Sequence, residues 1–194
     1  MAELILASKS KVRKKILDDN EIFAEIKPSK VDEDPIKQSL LKENATPEII
    51  SKNLAELKAS KVSLQYNNNL VLGADSVIDL EGELISKPIN RKDALDILKK
   101  LNGKKHSLIS SVCICRNGSM IWNYTDKAIL TMKNFSDEDL EKYLFKISDE
   151  SLYSYNVYQI EGEGRHLFSS IDGDEDTIMG LPIKKIKDYL NNYE

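Results

Sequence analysis

The stretch Leu70-Val71-Leu72-Gly73-Ala74-Asp75-Ser76-Val77-Ile78, which continues to Leu80, constrains the fold of this chain more than any other segment. Its apolar run is nearly unbroken, so it reads as a central strand covered on both faces. The turn Asn67-Asn68-Asn69 precedes it, and Glu81-Gly82 turns the chain back into Glu83-Leu84-Ile85-Ser86-Lys87-Pro88. Asp75 is out of place in such a strand, because a buried carboxylate is costly unless it binds a metal or accepts hydrogen bonds. Gly73 leaves room for another backbone or a ligand to approach closely. The plainer reading of Asp75 is a strand-end aspartate bonded to nearby N–H groups. The apolar residues on both sides favour a functional carboxylate.

Around this strand the chain alternates short strands and helices. Residues 4–7 form an apolar run, followed by the polar turn Ser8-Lys9-Ser10-Lys11 and then Val12, Ile16 and Leu17 at helical spacing. Residues 23–26 are a second extended piece. Thr46-Pro47 is an N-cap with proline in the first turn, opening a helix to about Val62 whose apolar face carries Ile50, Leu54 and Leu57. Asn90 caps another helix, with Asp93 at the reciprocal position, Ala94, Leu95, Leu98 and Leu101 as its stripe and Gly103 as its stop. Residues 107–115 and 120–132 are strands joined by the hairpin turn Asn117-Gly118. Ser136-Asp137-Glu138-Asp139 opens a further capped helix. A Tyr-rich stretch, a strand over residues 166–171 and a last helix over residues 182–191 complete the chain. Interleaved strands and helices with two hairpins predict an α/β fold with a mixed sheet. With no repeat, linker or low-complexity tract, residues 1–194 read as one domain.

A formal net charge of −4 gives no basic field for a nucleic-acid backbone, so no nucleic-acid partner is expected. A local cluster of Lys and Arg can still hold a small anion. Cys113 and Cys115 are two apart on a strand and share a face. That is poor disulfide geometry, and two ligands do not make a zinc site, so both read as core thiols in a reducing, cytoplasmic setting. The opening Met1-Ala2-Glu3-Leu4 has no basic flank before a long apolar stretch, so no signal peptide is expected. No run approaches membrane-spanning length, so a soluble protein without a membrane partner is expected.

Four groups of residues can carry chemistry. Ser8-Lys9-Ser10 with Arg13 and Lys14 places hydroxyls and cations at a helix start, where phosphate binds. The plainer reading makes Ser10 an N-cap and the cations a solvated face. Asp75 is the second group. Lys87, in Ser86-Lys87-Pro88, is returned toward Asp75 by the hairpin. The acidic run Asp32-Glu33-Asp34 is by itself a solvated loop, but a metal site needs more than one carboxylate. His106 and His166 lack metal-ligand spacing, and no Walker loop or nucleophile elbow is present. The tyrosines from Tyr143 to Tyr158 are core residues in the plain reading, or include a base-stacking one.

Taken in order, these segments resemble the Maf family of nucleoside triphosphate pyrophosphatases (septum-formation-inhibitor-like proteins). Leu4-Ile5-Leu6-Ala7-Ser8-Lys9-Ser10 with Arg13 resembles the family's LAS-x-S-P-R-R start, and Val31-Asp32-Glu33 its acidic segment. Leu57-Lys58-Ala59 resembles its x-K-A helix signature. Val71-Leu72-Gly73-Ala74-Asp75-Ser76-Val77 is close to its most specific motif, VLGAD-T/S-V. Ser86-Lys87-Pro88, Gly103-Lys104-Lys105-His106, Tyr158-Gln159-Ile160-Glu161-Gly162 and Gly180-Leu181-Pro182 match later motifs. Lys11-Val12, Tyr155-Asn156-Val157 and Glu161 depart from the common pattern. The last two departures fall where the family distinguishes nucleobases.

The resemblance implies a mixed, curved sheet with flanking helices in two lobes around a central cleft, Maf- or ITPase-like, often as a homodimer. It implies hydrolysis of a nucleoside triphosphate to monophosphate and pyrophosphate, removing non-standard or excess nucleotides. In this reading Asp75 is the proton acceptor, with Lys87 also catalytic, and Ser8, Ser10, Arg13, Lys58 and Glu161 bind substrate. Glu33 and Asp75 hold Mg²⁺ or Mn²⁺, in keeping with oxygen-only ligands and a phosphate substrate. The alternative is a nucleotide-binding regulator of cell division with little or no turnover.

Overall fold

The computed structural model describes residues 4–193, with side chains described throughout except at 153–155. Residues 1–3, the Tyr155 side chain and Glu194 lie outside that description, together with the parts of the sequence reading that fall on them. β1 (Leu4–Leu6) feeds α1 (Lys11–Asp19), followed by β2 (Ala24–Ile26), α2 (Glu33–Lys42) and α3 (Pro47–Ser63). β3 (Leu70–Leu80) turns into β4 (Glu83–Ile85), and α4 (Arg91–Leu101) follows. β5 (Lys105–Arg116) and β6 (Ser119–Met132) form a hairpin. Then come α5 (Asp137–Lys146), α6 (Asp149–Tyr155), a 3-10 turn (Glu163–Leu167), β7 (Phe168–Asp172), α7 (Glu175–Ile178) and α8 (Ile183–Asn191).

The seven strands form one open, mixed sheet in the order β2-β1-β3-β5-β6-β7, with β4 paired to β3. β1 lies parallel to β2 and β3, and every other pairing is antiparallel. On one edge β3 pairs with β5 from Val71 to Asp79. On the other edge β1 covers Leu70, Val71 and Leu72, while β4 covers Ile78, Asp79 and Leu80. From Gly73 to Val77 that edge has no strand partner among the described residues, and there the sheet splits into two lobes.

The cores follow the same division. Leu6, Leu17, Leu72, Ile114 and Ile186 pack on one face of the first lobe, and Ile5, Ala55, Ala59, Val71 and Cys113 on the other. Ile78, Leu98, Leu130, Leu144 and Leu167 fill the second lobe. β3 therefore supplies both cores, and Asp75 sits between its two contributions.

The helix starts follow the sequence closely. Thr46 Oγ1 accepts from Ile49 N at 3.3 Å, and Asn90 Oδ1 accepts from Asp93 N at 2.8 Å. The Asp93 carboxylate reaches back one residue further than expected, to Ile89 N at 3.0 Å. Three expectations are corrected. Leu57 is exposed, because α3 turns its small face, Ala55 and Ala59, toward the sheet. Glu33 and Asp34 open α2 instead of lying in a loop, with Asp32 in the cap position. The last strand begins at Phe168, because residues 163–167 wind into the 3-10 turn. Cys113 and Cys115 are buried free thiols with their Sγ atoms 3.6 Å apart, as core residues should be.

Candidate active site

Gly73 determines how α3 meets the sheet. A Cβ at this position would lie 2.2 Å from the carbonyl oxygen of Ala55 and 2.7 Å from the amide nitrogen of Ala59, so only glycine permits the contact. The close approach delivers Lys58, one turn after Ala55, to the carboxylate two residues after Gly73. Lys58 Nζ lies 2.7 Å from Asp75 Oδ1 and 2.8 Å from Glu33 Oε1. Asp75 and Lys58 are 6% and 8% exposed, so water screens this pair weakly. Ser51 Oγ donates to the backbone carbonyl of Asp75 at 3.1 Å. Asp75 Oδ2 is buried and has no hydrogen-bond partner. One oxygen of the carboxylate is held, and the other is left for a ligand or a water.

Glu33 completes the cluster from α2 and also pairs with Lys37 at 3.3 Å. Partial burial alone would raise its pKa, but the attraction of Lys58, followed by that of Lys37, lowers it to about 2. Lys37 was not anticipated from the sequence. Its signal was present as an i,i+4 acid–base pair with Glu33, hidden because the acidic run reads as a loop.

The turn before α1 is preorganised. Ser10 is the N-cap, its Oγ accepting from Arg13 N at 3.3 Å, and its own N–H donates to Ser8 Oγ at 3.2 Å. Lys14 pairs with Asp18 along the outer face of the helix, as its plain reading had it. Arg13 turns inward and donates to Gly180 O at 2.9 Å, Ala74 O at 3.0 Å, Ser76 Oγ at 3.0 Å and Ser8 Oγ at 3.3 Å. These bonds commit most of a guanidinium's five N–H groups to the protein. Arg13 thus ties α1, the unpaired edge of β3 and the C-terminal segment together, besides lining the cleft.

Ser8, Ser10, Arg13, Glu33, Lys58, Asp75, Lys87 and Glu161 all line one cleft of about 830 Å³. The site residues expected from sequence are therefore brought together. Its walls divide by chemistry: the first lobe contributes most of the charged and hydroxyl groups. The second contributes an apolar stretch of Leu84, Ile85, Leu108, Tyr158, Ile160 and Ile178, together with Lys87, Asp149, Glu150, Asn156, Gln159 and Glu161. Lys87 is exposed as a residue, yet partial burial of its ammonium, then repulsion from Arg13, outweighs the pull of Asp75 and Glu33. Its pKa falls to about 8. Glu161 is an exposed carboxylate on the second-lobe wall. His106 lies behind that wall, buried, with Nε2 2.9 Å from Tyr158 Oη.

By architecture the chain is an α/β protein with the fold of the HAM1 proteins. It superposes on a HAM1 protein from Coxiella burnetii with a TM-score of 0.54 at 11% identity, over 99% of this chain and 100% of that one. The Staphylococcus aureus Ham1 protein gives 0.51 at 14% identity, with the same coverage of both chains. At such identities the likeness concerns the fold alone. The chain belongs to the Maf-like protein family, whose model matches residues 3–193. A nucleoside triphosphate pyrophosphatase of Pelagibacter ubique (strain HTCC1062) is 71% identical over 97% of this chain and 96% of its own length. Another from Roseobacter denitrificans is 38% identical over 96% and 94%. A 7-methyl-GTP pyrophosphatase of Rhizobium etli is 35% identical over 93% and 91%.

Replacing Lys58 with Met should leave two carboxylates facing each other without their shared cation. Stability at pH 7 should fall by about 3–5 kcal/mol, the usual cost of breaking a buried pair. The deficit should shrink as pH drops below about 5 and the carboxylates of the variant take up protons. Urea unfolding at several pH values checks this. A deficit independent of pH would show that Lys58 contributes packing rather than charge.

Proposed function

We propose that this chain hydrolyses a nucleoside triphosphate to the monophosphate and pyrophosphate, with Asp75 accepting a proton from the attacking water. The observation that carries the reading is the half-satisfied carboxylate of Asp75. Lys58, itself paired with Glu33, holds Oδ1, Oδ2 is left bare, and the residue lines a cleft that also carries Arg13, Lys58 and Lys87. The names of the Pelagibacter and Rhizobium relatives support the same reaction class. A nucleotide-binding regulator without turnover is less favoured, since a pure binder has no use for such a carboxylate.

The residues divide the work by chemistry. The first turn of α1 and the Ser8 hydroxyl suit phosphate oxygens, because helix N-terminal N–H groups and hydroxyls donate to anions. Lys87 supplies a cation on the opposite side, suited to the departing pyrophosphate. Lys58, expected to bind substrate, also serves Asp75 by holding Oδ1 and thereby orienting Oδ2. Arg13 keeps Ser8 and the edge of β3 in register, with its remaining donor capacity turned to substrate. Asp75 then takes the water proton as the oxygen attacks the α-phosphorus and pyrophosphate leaves. The products are one nucleoside monophosphate and one intact pyrophosphate.

We infer that Mg²⁺ or Mn²⁺ takes part. No cluster of three or more His, Cys, Asp or Glu residues suited to a metal is present among the described residues. Two carboxylates, of which Asp75 keeps Oδ2 bare while Glu33 is paired with Lys58 and Lys37, nevertheless fit an ion that draws its other ligands from substrate phosphates and water. Asp75 and Glu33 would hold it, and when bound it would neutralise phosphate charge and acidify water. A cytoplasmic location is inferred from the two core thiols and the lack of a disulfide framework, and a homodimer from the resemblance; no described helix is long and apolar enough to cross a membrane.

Three outcomes are expected. Asp75→Asn should stay folded and lose about a hundredfold or more in turnover, while the parent enzyme yields pyrophosphate by phosphorus NMR. Inorganic phosphate with a diphosphate would mean attack at the γ-phosphorus and would overturn the mechanism. Titration calorimetry should show Mn²⁺ binding far more tightly with a non-hydrolysable triphosphate present than without it, and EDTA should stop turnover reversibly. Equal affinity in both cases would point to a protein-only site. Finally, Lys87 is charged below its pKa of about 8 and loses that charge as pH rises through it. kcat/KM should therefore fall above about pH 8, and Lys87→Arg, whose cation persists, should remove that limb. An unchanged limb in the variant would assign it to another group.

A further inference from the structure

Among the cleft-wall residues, Tyr158 is held from a side the substrate does not reach. It is 5% exposed and forms part of the second-lobe wall, whereas His106 is 2% exposed and lies outside that lining. His106 Nε2 meets Tyr158 Oη at 2.9 Å, and both rings pack against Phe168, with centroids 5.9 Å and 4.8 Å from it. His106 Nδ1 is buried without a partner.

This is an expensive way to fill space. A buried polar group with an unmet nitrogen costs stability that a leucine or phenylalanine would not. Burial also holds the imidazole neutral by lowering its pKa to about 4. The wall around Tyr158 is pinned at several further points. Tyr143 Oη donates to Val157 O at 3.0 Å. Gly164 presses against Gln159, where a Cβ would lie 2.5 Å from the Gln159 carbonyl oxygen. The hydrogen bond to His106 is therefore one part of a wall whose position is fixed before substrate arrives.

We propose that His106 is a positioning residue for the nucleoside end of the substrate, fixing the Tyr158 ring in the apolar half of the cleft. The proposal rests on the reading of the cleft as a nucleoside triphosphate site, with phosphates on the charged half and the base against the apolar half. A ring locked by a hydrogen bond loses no rotational freedom when a base packs on it, so affinity for the nucleoside is higher. His106 touches no substrate atom in this scheme and acts only through Tyr158.

Steady-state kinetics by pyrophosphate release, with His106→Leu, His106→Gln, Tyr158→Phe and the double variant His106→Leu/Tyr158→Phe, test this. His106→Leu and Tyr158→Phe should each raise KM about 3- to 10-fold, the worth of one hydrogen bond, with kcat within about twofold. His106→Gln, whose amide can replace Nε2, should stay near the parent value. The double variant should be no worse than the worse single one, because both remove the same bond. Inhibition by inorganic tripolyphosphate, which lacks a nucleoside, should be unchanged throughout. Unchanged KM in folded variants, additive losses, or an equal loss for tripolyphosphate would overturn the proposal. If His106→Leu does not fold, Tyr158→Phe and His106→Gln decide alone. If the parent turns over no triphosphate, the reaction reading fails separately. The same comparison is then made by calorimetry, with a non-hydrolysable triphosphate against tripolyphosphate.

Discussion

The ion pair between Lys58 and Asp75 is the constraint from which the rest of this site follows. A carboxylate inside a central strand is tolerable only if a cation reaches it, and the cation arrives on a helix that packs directly on the strand. That packing depends on Gly73, so strand, glycine, helix and lysine form one device. Its net worth to stability is small, because desolvation of both charges opposes their attraction. Its worth to chemistry is larger. The lysine takes one oxygen of Asp75 and leaves the other, so the carboxylate is oriented in advance and needs no rearrangement when a ligand arrives.

The two lobes then divide the work of recognition. Charged and hydroxyl groups come mostly from the turn before α1, from α2 and α3, and from β3. The second lobe offers an aliphatic and aromatic surface, with Lys87, Asp149, Glu150 and Glu161 also in its lining. A substrate with a polyanionic end and a flat, weakly polar end matches such a cleft in one orientation only. In the proposed reaction, contacts at both ends would then set the position of the reacting phosphorus.

Much of this was legible in the sequence because the relevant signals are local. The bounds of β3 follow from one apolar run between two turns, and the helix starts follow from Ser, Thr and Asn caps with their partners three residues on. Asp75 stands out because its neighbours are apolar. What the sequence hid was direction. Leu57 looks like a core residue until the glycine across from α3 turns the helix onto its alanine face. Lys58 reads as a substrate ligand, and nothing in the sequence foretells that the fold sets it between two carboxylates. Glu33 belongs to a helix with no buried residue, so no apolar stripe announces it. The His106–Tyr158 contact joins residues 52 apart in the chain, and nothing local to either foretells it.

The unpaired edge of β3 has a meaning beyond the site. A row of backbone donors and acceptors without a neighbouring strand is where protein chains stick to one another, and folds generally cover or charge such edges. Here the stretch from Gly73 to Val77 is flanked by β1 and β4, with Arg13 already bonded to Ala74 O and Ser51 to Asp75 O. A stray strand would have to displace an arginine and a serine from those carbonyls before pairing could begin. The gap proposed to admit a small anion is thus also guarded against strand addition, and five residues of the central strand can go without a strand partner on one edge without exposing the sheet to other chains.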